Sequence, residues 1–181
     1  MTNENLVQSK IAAEMVAISN EYCVFIERIQ QYPQEDLLSF LQKILTALYL
    51  KGSVLPLVEP EDNAALERFV TEEEYETMLL KLSGIFEENN YFFTLESCQD
   101  ADSCMTLNFA EILSDIYTDL KDFLLLFAKP QISAQENALA ELKYRFESDW
   151  GYRIALALPY LHQQLFTVIG SSTEFPEHFQ A

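Results

Sequence analysis

Apolar side chains recur at steps of three and four residues along most of this chain, and that spacing predicts amphipathic α-helices. The most regular pattern covers Leu107–Phe127, where an apolar stripe follows one side of the helix and carboxylates line another side. Comparable stripes before and after this segment bring the total to six predicted helices. Their ranges are 5–31, 33–51, 71–88, 107–127, 133–150 and 152–170.

Residues that favour helix starts occur where several of these stripes begin. Thr71 with Glu74, and Ser133 with Glu136, have the spacing of a capping box. Asn108 is the expected N-cap of the helix over 107–127. The stretch 89–106 lacks a helical period, so we expect a short extended segment or a packed loop there.

The scarcity of glycine supports an all-α fold, because sheet proteins need far more turn glycine. Only four glycines occur, and Gly52, Gly151 and Gly170 lie at predicted helix ends. We therefore expect a single-domain bundle of about six mostly antiparallel helices over residues 1–170, with a tail over 171–181. Gly151 either breaks the helix or marks close packing, so the continuity of the fifth and sixth helices stays open. Pro159 is expected to kink the sixth.

The net charge of −18 limits the classes of partner that this surface can bind. Such a charge repels nucleic acid phosphates and anionic lipid heads, so we expect neither partner. The charge is also uneven, since residues 59–100 hold twelve acids against two bases. This excess indicates either a basic protein partner or a surface that serves solubility alone.

Cysteine usage and apolar run lengths indicate a cytoplasmic protein. The three cysteines are an odd number without a CxxC pair, so they suggest neither a disulfide framework nor a zinc site. The first ten residues lack the pattern of a signal peptide, and no apolar run is long enough to span a bilayer.

Motifs of common enzymes are absent from the sequence. It contains no GxGxxG or GxxxxGK[ST] loop, no HExxH, and no GxSxG elbow. Neither of the two histidines follows a glutamate by three residues, as a di-iron bundle requires. We therefore favour a protein without enzymatic activity, bound to no cofactor other than a possible divalent cation.

The acidic face of the helix over 107–127 is the main candidate for organised chemistry. Glu111, Asp115, Asp119 and Asp122 fall within an arc of about 80°, since each helical residue turns by about 100°. One interpretation is a metal site with Asp115, Asp119 and Asp122 as ligands. Such a site needs further oxygen ligands from another helix.

A second interpretation, which we favour, is a set of ion pairs between helices. Arg145, Asp149 and Arg153 recur at steps of four if the helix is continuous, so their stripe can dock on the aspartates. Trp150 is expected in the core, and His162 is expected at the edge of the core with a hydrogen-bond partner.

Three segments resemble a known family. LSDIYTDLKDF (113–123), FESDWGYR (146–153) and ALPYLH (157–162) are similar to an uncharacterised, mostly bacterial helical family, domain of unknown function 5063. The similarity extends from the EYCVFIE segment (21–27) to His162. The resemblance implies an all-helical domain with no assigned activity. It also implies that a group of residues belongs together, namely Asp115, Tyr117, Asp119, Asp122, Trp150, Gly151, Arg153 and His162.

Three functional hypotheses follow, and the third is a structural subunit of a larger assembly with an exposed aromatic patch at Tyr91–Phe93. The first is a non-enzymatic cytoplasmic interaction or regulatory protein that presents an acidic surface to a basic partner. The alternative is a metal-dependent hydrolase of a small phosphorylated compound, using the carboxylates of the helix over 107–127. The residues that either a polar network or a ligand cleft would use are Glu111, Asp115, Tyr117, Asp119, Asp122, Arg145, Trp150, Arg153 and His162.

Overall fold

A computed structural model describes residues 3–60, 62, 66–95 and 104–170, and it confirms the all-α, single-domain prediction. The predicted tail over 171–181 lies outside the described residues. Seven α-helices and one β-hairpin occur within the described ranges, and a π-helical turn, Phe146–Trp150, joins the last two helices. The elements are α1 (Asn3–Val7), α2 (Lys10–Glu27), α3 (Gln34–Ser53), α4 (Glu72–Phe86), β1 (Tyr91–Leu95), β2 (Cys104–Asn108), α5 (Phe109–Phe127), α6 (Ile132–Arg145) and α7 (Gly151–Gly170).

The first predicted helix is divided in the structure. Ser9 is the N-cap of α2, and its Oγ accepts a hydrogen bond from the Ala12 amide at 3.2 Å. A residue in this position adopts an extended backbone conformation, so α1 ends before it. At the other end α2 stops at Glu27, and Ile29–Gln31 form a separate 3₁₀ turn. The single continuous helix expected over 5–31 was therefore wrong.

Two of the three predicted N-caps are confirmed. Thr71 and Glu74 form a reciprocal capping box at the start of α4. The Asn108 Oδ1 accepts from the Glu111 amide at 3.0 Å at the start of α5. Each cap satisfies an amide that a helix otherwise leaves without a partner.

The capping box expected at Ser133 was wrong. Helix α6 begins at Ile132, and its N-cap is Gln131, whose side chain makes no capping hydrogen bond. Ser133 therefore lies inside the first turn, where its hydroxyl cannot occupy the cap position. Glu136, the other half of the expected box, is buried.

A short hairpin occupies part of the stretch that lacks a helical period. Strands β1 and β2 pair in antiparallel register, with Tyr91 opposite Asn108. Tyr91 and Phe93 are exposed, whereas Phe92 is buried and stacks on Tyr160 with ring centroids 4.6 Å apart. This alternation is the period of two expected for a strand, and it matches the extended alternative for these aromatics.

The helix continues through Gly151 rather than breaking there. Arg145, Phe146 and Gly151 all have right-handed helical backbone angles, so α6, the π-turn and α7 form one uninterrupted rod. A Cβ atom at Gly151 would overlap the Phe146 carbonyl oxygen, and one at Gly52 would overlap the rings of Phe146 and Trp150. Gly52 therefore allows α3 to pack closely on the π-turn, and Gly151 leaves room for the backbone and ring of Phe146 within the turn itself.

Helix α5 is the centre of the bundle. It contacts α2, α4, α6 and α7, while α3 packs mainly against α2 and α7. The buried side chains of its apolar stripe include Phe109, Leu113, Ile116 and Leu120. No helix among the described residues is long and apolar enough to cross a membrane.

Candidate functional site

The acidic face of α5 points partly into the protein. Asp119 is buried, with 6% of its side chain exposed, and Asp115 and Asp122 are half-buried. Glu111 remains exposed in the first turn of the helix. Three of the four carboxylates therefore need partners within the protein, because a buried charge without one is costly.

Arg153 of α7 is the partner of Asp115. Its Nη1 lies 2.6 Å from the Asp115 Oδ2, and its Nε donates to the Asp149 Oδ1 at 2.5 Å. The Tyr75 hydroxyl of α4 donates to the other oxygen of Asp115 at 2.9 Å. Asp115 thus joins three helical elements through one carboxylate.

Arg145 of α6 is the partner of Asp119. Its Nε and Nη2 both donate to the Asp119 Oδ1, at 3.0 and 2.9 Å. The same Nη2 lies 3.5 Å from the Asp149 Oδ2, so Asp149 bridges the two arginines. The resulting chain of ion pairs, which we call the ladder, is Asp115, Arg153, Asp149, Arg145 and Asp119.

Asp119 is the unusual member of the ladder. Its Oδ2 is buried, and the described residues offer it no hydrogen-bond partner. Burial raises the pKa of Asp119 to about 6, although the hydrogen bonds and charge of Arg145 act in the opposite direction. Burial also raises the pKa of Asp115, against the opposing effects of Arg153 and Tyr75. Burial therefore disfavours the charged forms of Asp115 and Asp119.

Asp122 has a different role from the other aspartates. Its Oδ1 accepts hydrogen bonds from the backbone amides of Phe69 and Val70, at 2.7 and 2.9 Å. These contacts fix the segment that enters α4 against the middle of the bundle. Asp122 therefore binds backbone amides, whereas Asp115 and Asp119 bind arginines.

Comparison with known proteins identifies the family. The model of domain of unknown function 5063 (DUF5063) matches residues 7–167. The chain belongs to this family. A crystal structure of protein BF1032 from Bacteroides fragilis is similar to this DUF5063 chain, with a TM-score of 0.78 and 27% identity over 96% of this chain and 99% of that one. No curated protein matches the chain.

The DUF5063 chain brings together only part of the group that the family resemblance implies. Asp115, Asp119 and Arg153 meet in the ladder, as described above. Tyr117 points away from them, since it is about 200° around the helix from Asp115. Its hydroxyl donates to the Glu27 Oε1 at 3.0 Å.

Trp150 and His162 also lie apart from the ladder. Trp150 is fully buried, as expected, and its Nε1 donates to the Leu142 carbonyl at 3.2 Å. His162 is exposed, which corrects the expectation of a core-edge histidine, and its ring centroid lies 4.6 Å from that of Phe166. It lines an open groove between α3 and α7, where α3 does not cover the face of α7 that carries His162.

The three aspartates proposed as metal ligands are not brought together. Asp115 contacts Arg153 and Tyr75, and Asp119 contacts Arg145. Asp122 contacts the backbone amides that precede α4. Within the described part of the chain, no three His, Cys, Asp or Glu residues are placed to hold a metal ion. The geometry therefore resembles a structural network more closely than an ion-binding cleft.

Sequence reasoning missed two participants on α2 and α4. Nothing in the spacing of α4 showed that the Tyr75 hydroxyl reaches Asp115. Glu27 accepts hydrogen bonds from both Tyr117 and Lys121, the latter at 2.7 Å. Lys121 is half-buried, because the end of α2 lies against it.

Proposed function

We propose that this DUF5063 protein is a non-enzymatic cytoplasmic interaction or regulatory protein that presents an acidic face of α4 to a basic partner. The observation that carries the proposal is a stripe on the outer side of α4. Glu72, Glu76 and Leu80 recur at steps of four, so they lie on one face of the helix. All three are exposed, and 75% of Leu80 is accessible.

The acids of this stripe form no ion pair with any of the described residues. Glu72 and Glu76 have no cationic partner among the described residues, in contrast to the aspartates of α5. The helix dipole favours an acid in the first turn, which includes Glu72, but Glu76 lies beyond that turn. Gly84 follows Leu80 by four residues, and open space surrounds the position of its missing Cβ. The face is therefore free to receive a partner.

The combination of acids around an exposed leucine indicates the kind of partner. Carboxylates steer and orient a basic surface, while a desolvated apolar side chain supplies binding energy. A helix that carries lysines or arginines beside an apolar stripe matches both features.

Affinity capture from native lysate, followed by binding measurements with the purified partner, tests this proposal. The variant Glu72→Gln/Glu76→Gln should lose the partner or weaken its binding at least about tenfold, a change of about 1.4 kcal/mol. Binding to the unaltered protein should also weaken as salt concentration rises.

A matched control removes the same charge elsewhere. Glu21 and Glu147 are exposed on α2 and the π-turn, so Glu21→Gln/Glu147→Gln should retain the partner. Failure to capture any partner at low salt, or equal losses in the two double variants, would contradict the proposal.

The hydrolase alternative requires the aspartates of α5 to release their present partners. Asp115 and Asp119 would have to exchange arginine contacts for a cation, which makes this alternative less favoured by the geometry. Thermal-shift titration with Mg²⁺, Mn²⁺ and Ca²⁺ tests it. We expect no saturable stabilisation, whereas stabilisation that disappears in Asp119→Asn would support the hydrolase.

A further inference from the structure

A cavity of about 380 Å³ lies between α4 and α5, beside the segment that enters α4. Its volume falls in the range of small-molecule sites. On α5 its wall is formed by Tyr117, Lys121 and Leu125, which recur at steps of four. The two hydrogen bonds from the amides of Phe69 and Val70 to Asp122 hold the adjoining segment in place. The cavity is therefore formed before any ligand binds.

Two lysines supply positive charge to this cavity. The Lys81 Nζ donates to the Glu27 carbonyl oxygen at 2.5 Å and lies 3.4 Å from that of Ile26. The Lys121 Nζ donates to the Glu27 Oε1 at 2.7 Å. Each ammonium group has three protons to donate, so both retain donor capacity for a ligand beyond these described contacts. Burial lowers the pKa of Lys81, and a bound anion would offset that penalty.

Two glutamates and an apolar wall complete the cavity, and one of them, Glu74, is held in the capping box with Thr71. Glu73 lines the cavity and is exposed, with no cationic partner in the described ranges. It precedes Lys81 by eight residues, which places their Cα atoms about 12 Å apart along the axis of α4. Met78 and Leu125 add apolar surface to the lining. The cavity thus combines separate cationic and anionic groups with an apolar wall.

We propose that this cavity binds a small zwitterion whose carboxylate contacts Lys81 and Lys121 and whose amine is directed toward Glu73. The net charge of −18 repels a free anion at long range, whereas a zwitterion of zero net charge escapes that repulsion. The site does not depend on the partner proposed above, because its anion-binding groups lie outside the stripe of Glu72, Glu76 and Leu80.

Three probes of equal chain length test the proposal: ε-aminocaproate, caproate and n-hexylamine. Methyl labelling of methionine provides a local signal, because Met78 lines the cavity and Met15 is fully buried in the core. Millimolar ε-aminocaproate should shift the Met78 resonance and leave that of Met15 unchanged. It should bind at least about fivefold more tightly than either single-charge probe, because each of those probes lacks at least one charge-assisted hydrogen bond.

Variants assign the two ends of the ligand. Lys81→Gln and Lys121→Gln should each weaken the binding of ε-aminocaproate and caproate about fivefold without weakening that of n-hexylamine. Glu73→Gln should weaken ε-aminocaproate and n-hexylamine without weakening caproate. Lys10→Gln is the control, because 88% of the Lys10 side chain is exposed away from the cavity. Absence of a Met78 shift with all three probes, or equal responses in the variants and the control, would overturn the proposal.

Discussion

Helices α4 and α5 both carry rows of acids, but they place them in opposite environments. The aspartates of α5 turn toward α6, α7 and the segment before α4, and each meets arginine or backbone donors. Glu72 and Glu76 of α4 face outward without such partners in the described residues. A row of acids therefore forms an internal network on α5 and an exposed charged face on α4.

The difference arises from where each helix lies in the bundle. Helix α5 contacts four other helices, so an acid on nearly any of its sides meets a neighbour. Helix α4 packs mainly on α5, and its outer side remains uncovered. Burial makes the acids of α5 part of the fold, whereas exposure leaves those of α4 available for recognition.

Among single substitutions, breaking the ladder should give the largest effect. Arg153→Met leaves Asp115 and Asp149 without their shared cation, and we expect a loss of about 2–3 kcal/mol in the free energy of unfolding. Chemical denaturation at neutral pH measures it. Arg68→Met is the matched control, because 59% of that side chain is exposed and its pair with Glu141 is superficial. The control should cost less than about 1 kcal/mol. A cost for Arg68→Met equal to that for Arg153→Met would contradict the internal role of the ladder.

The next comparison is the pH dependence of stability that the buried Asp119 of α5 causes. Its folded-state pKa of about 6 exceeds the ordinary value of 3.8. Its contribution to stability is therefore complete below about pH 4 and is lost as pH rises through about 6. The stability of the wild type minus that of Asp119→Asn should fall by about 2–3 kcal/mol across this window. A difference that rises with pH would mean that the Arg145 contact outweighs burial.

Two glycine substitutions compare a packed contact, between α3 and the π-turn, with the uncovered outer face of α4. Gly52→Ala should cost about 1–3 kcal/mol, since the new methyl group would overlap the rings of Phe146 and Trp150. Gly84→Ala lies on the outer face of α4, where nothing obstructs a Cβ, and should stabilise by about 0.5–1 kcal/mol. Thermal unfolding distinguishes the two. Destabilisation by Gly84→Ala would show that the outer face of α4 is covered.

The helix caps offer the smallest effect. Thr71→Ala removes the capping box of α4 and should cost about 1 kcal/mol. Ser133→Ala should change stability by less than about 0.5 kcal/mol, since Ser133 does not cap α6. Denaturant titration of the two variants checks this. A larger loss of stability in Ser133→Ala would show that Ser133 caps α6, as its spacing predicts.

Periodic patterns account for what the sequence predicted well. The stripe of Asp115 and Asp119 and the stripe of Arg145, Asp149 and Arg153 both recur at steps of four, and the structure places them in contact. The caps at Thr71 and Asn108 follow from local hydrogen bonding, which depends on few residues. Such features need no knowledge of the rest of the fold.

Other contacts leave no periodic signal. Asp122 binds the amides of Phe69 and Val70, and backbone amides look alike in every sequence. Tyr117 entered the candidate group through family resemblance, although its angle on the helix places it opposite Asp115. The exposure of His162 depends on how far α3 covers α7, which is a property of the assembled bundle.

One stability comparison tests the central claim that α5 acids maintain the fold and α4 acids do not. Asp115→Ala/Asp122→Ala and Glu72→Ala/Glu76→Ala remove the same charge from two helices and introduce the same residue. Chemical denaturation at neutral pH should show a loss of about 3 kcal/mol for the α5 variant, because it leaves Tyr75 and two backbone amides without an acceptor. The α4 variant should change by less than about 0.5 kcal/mol. Equal losses, or a larger loss for the α4 variant, would contradict the account.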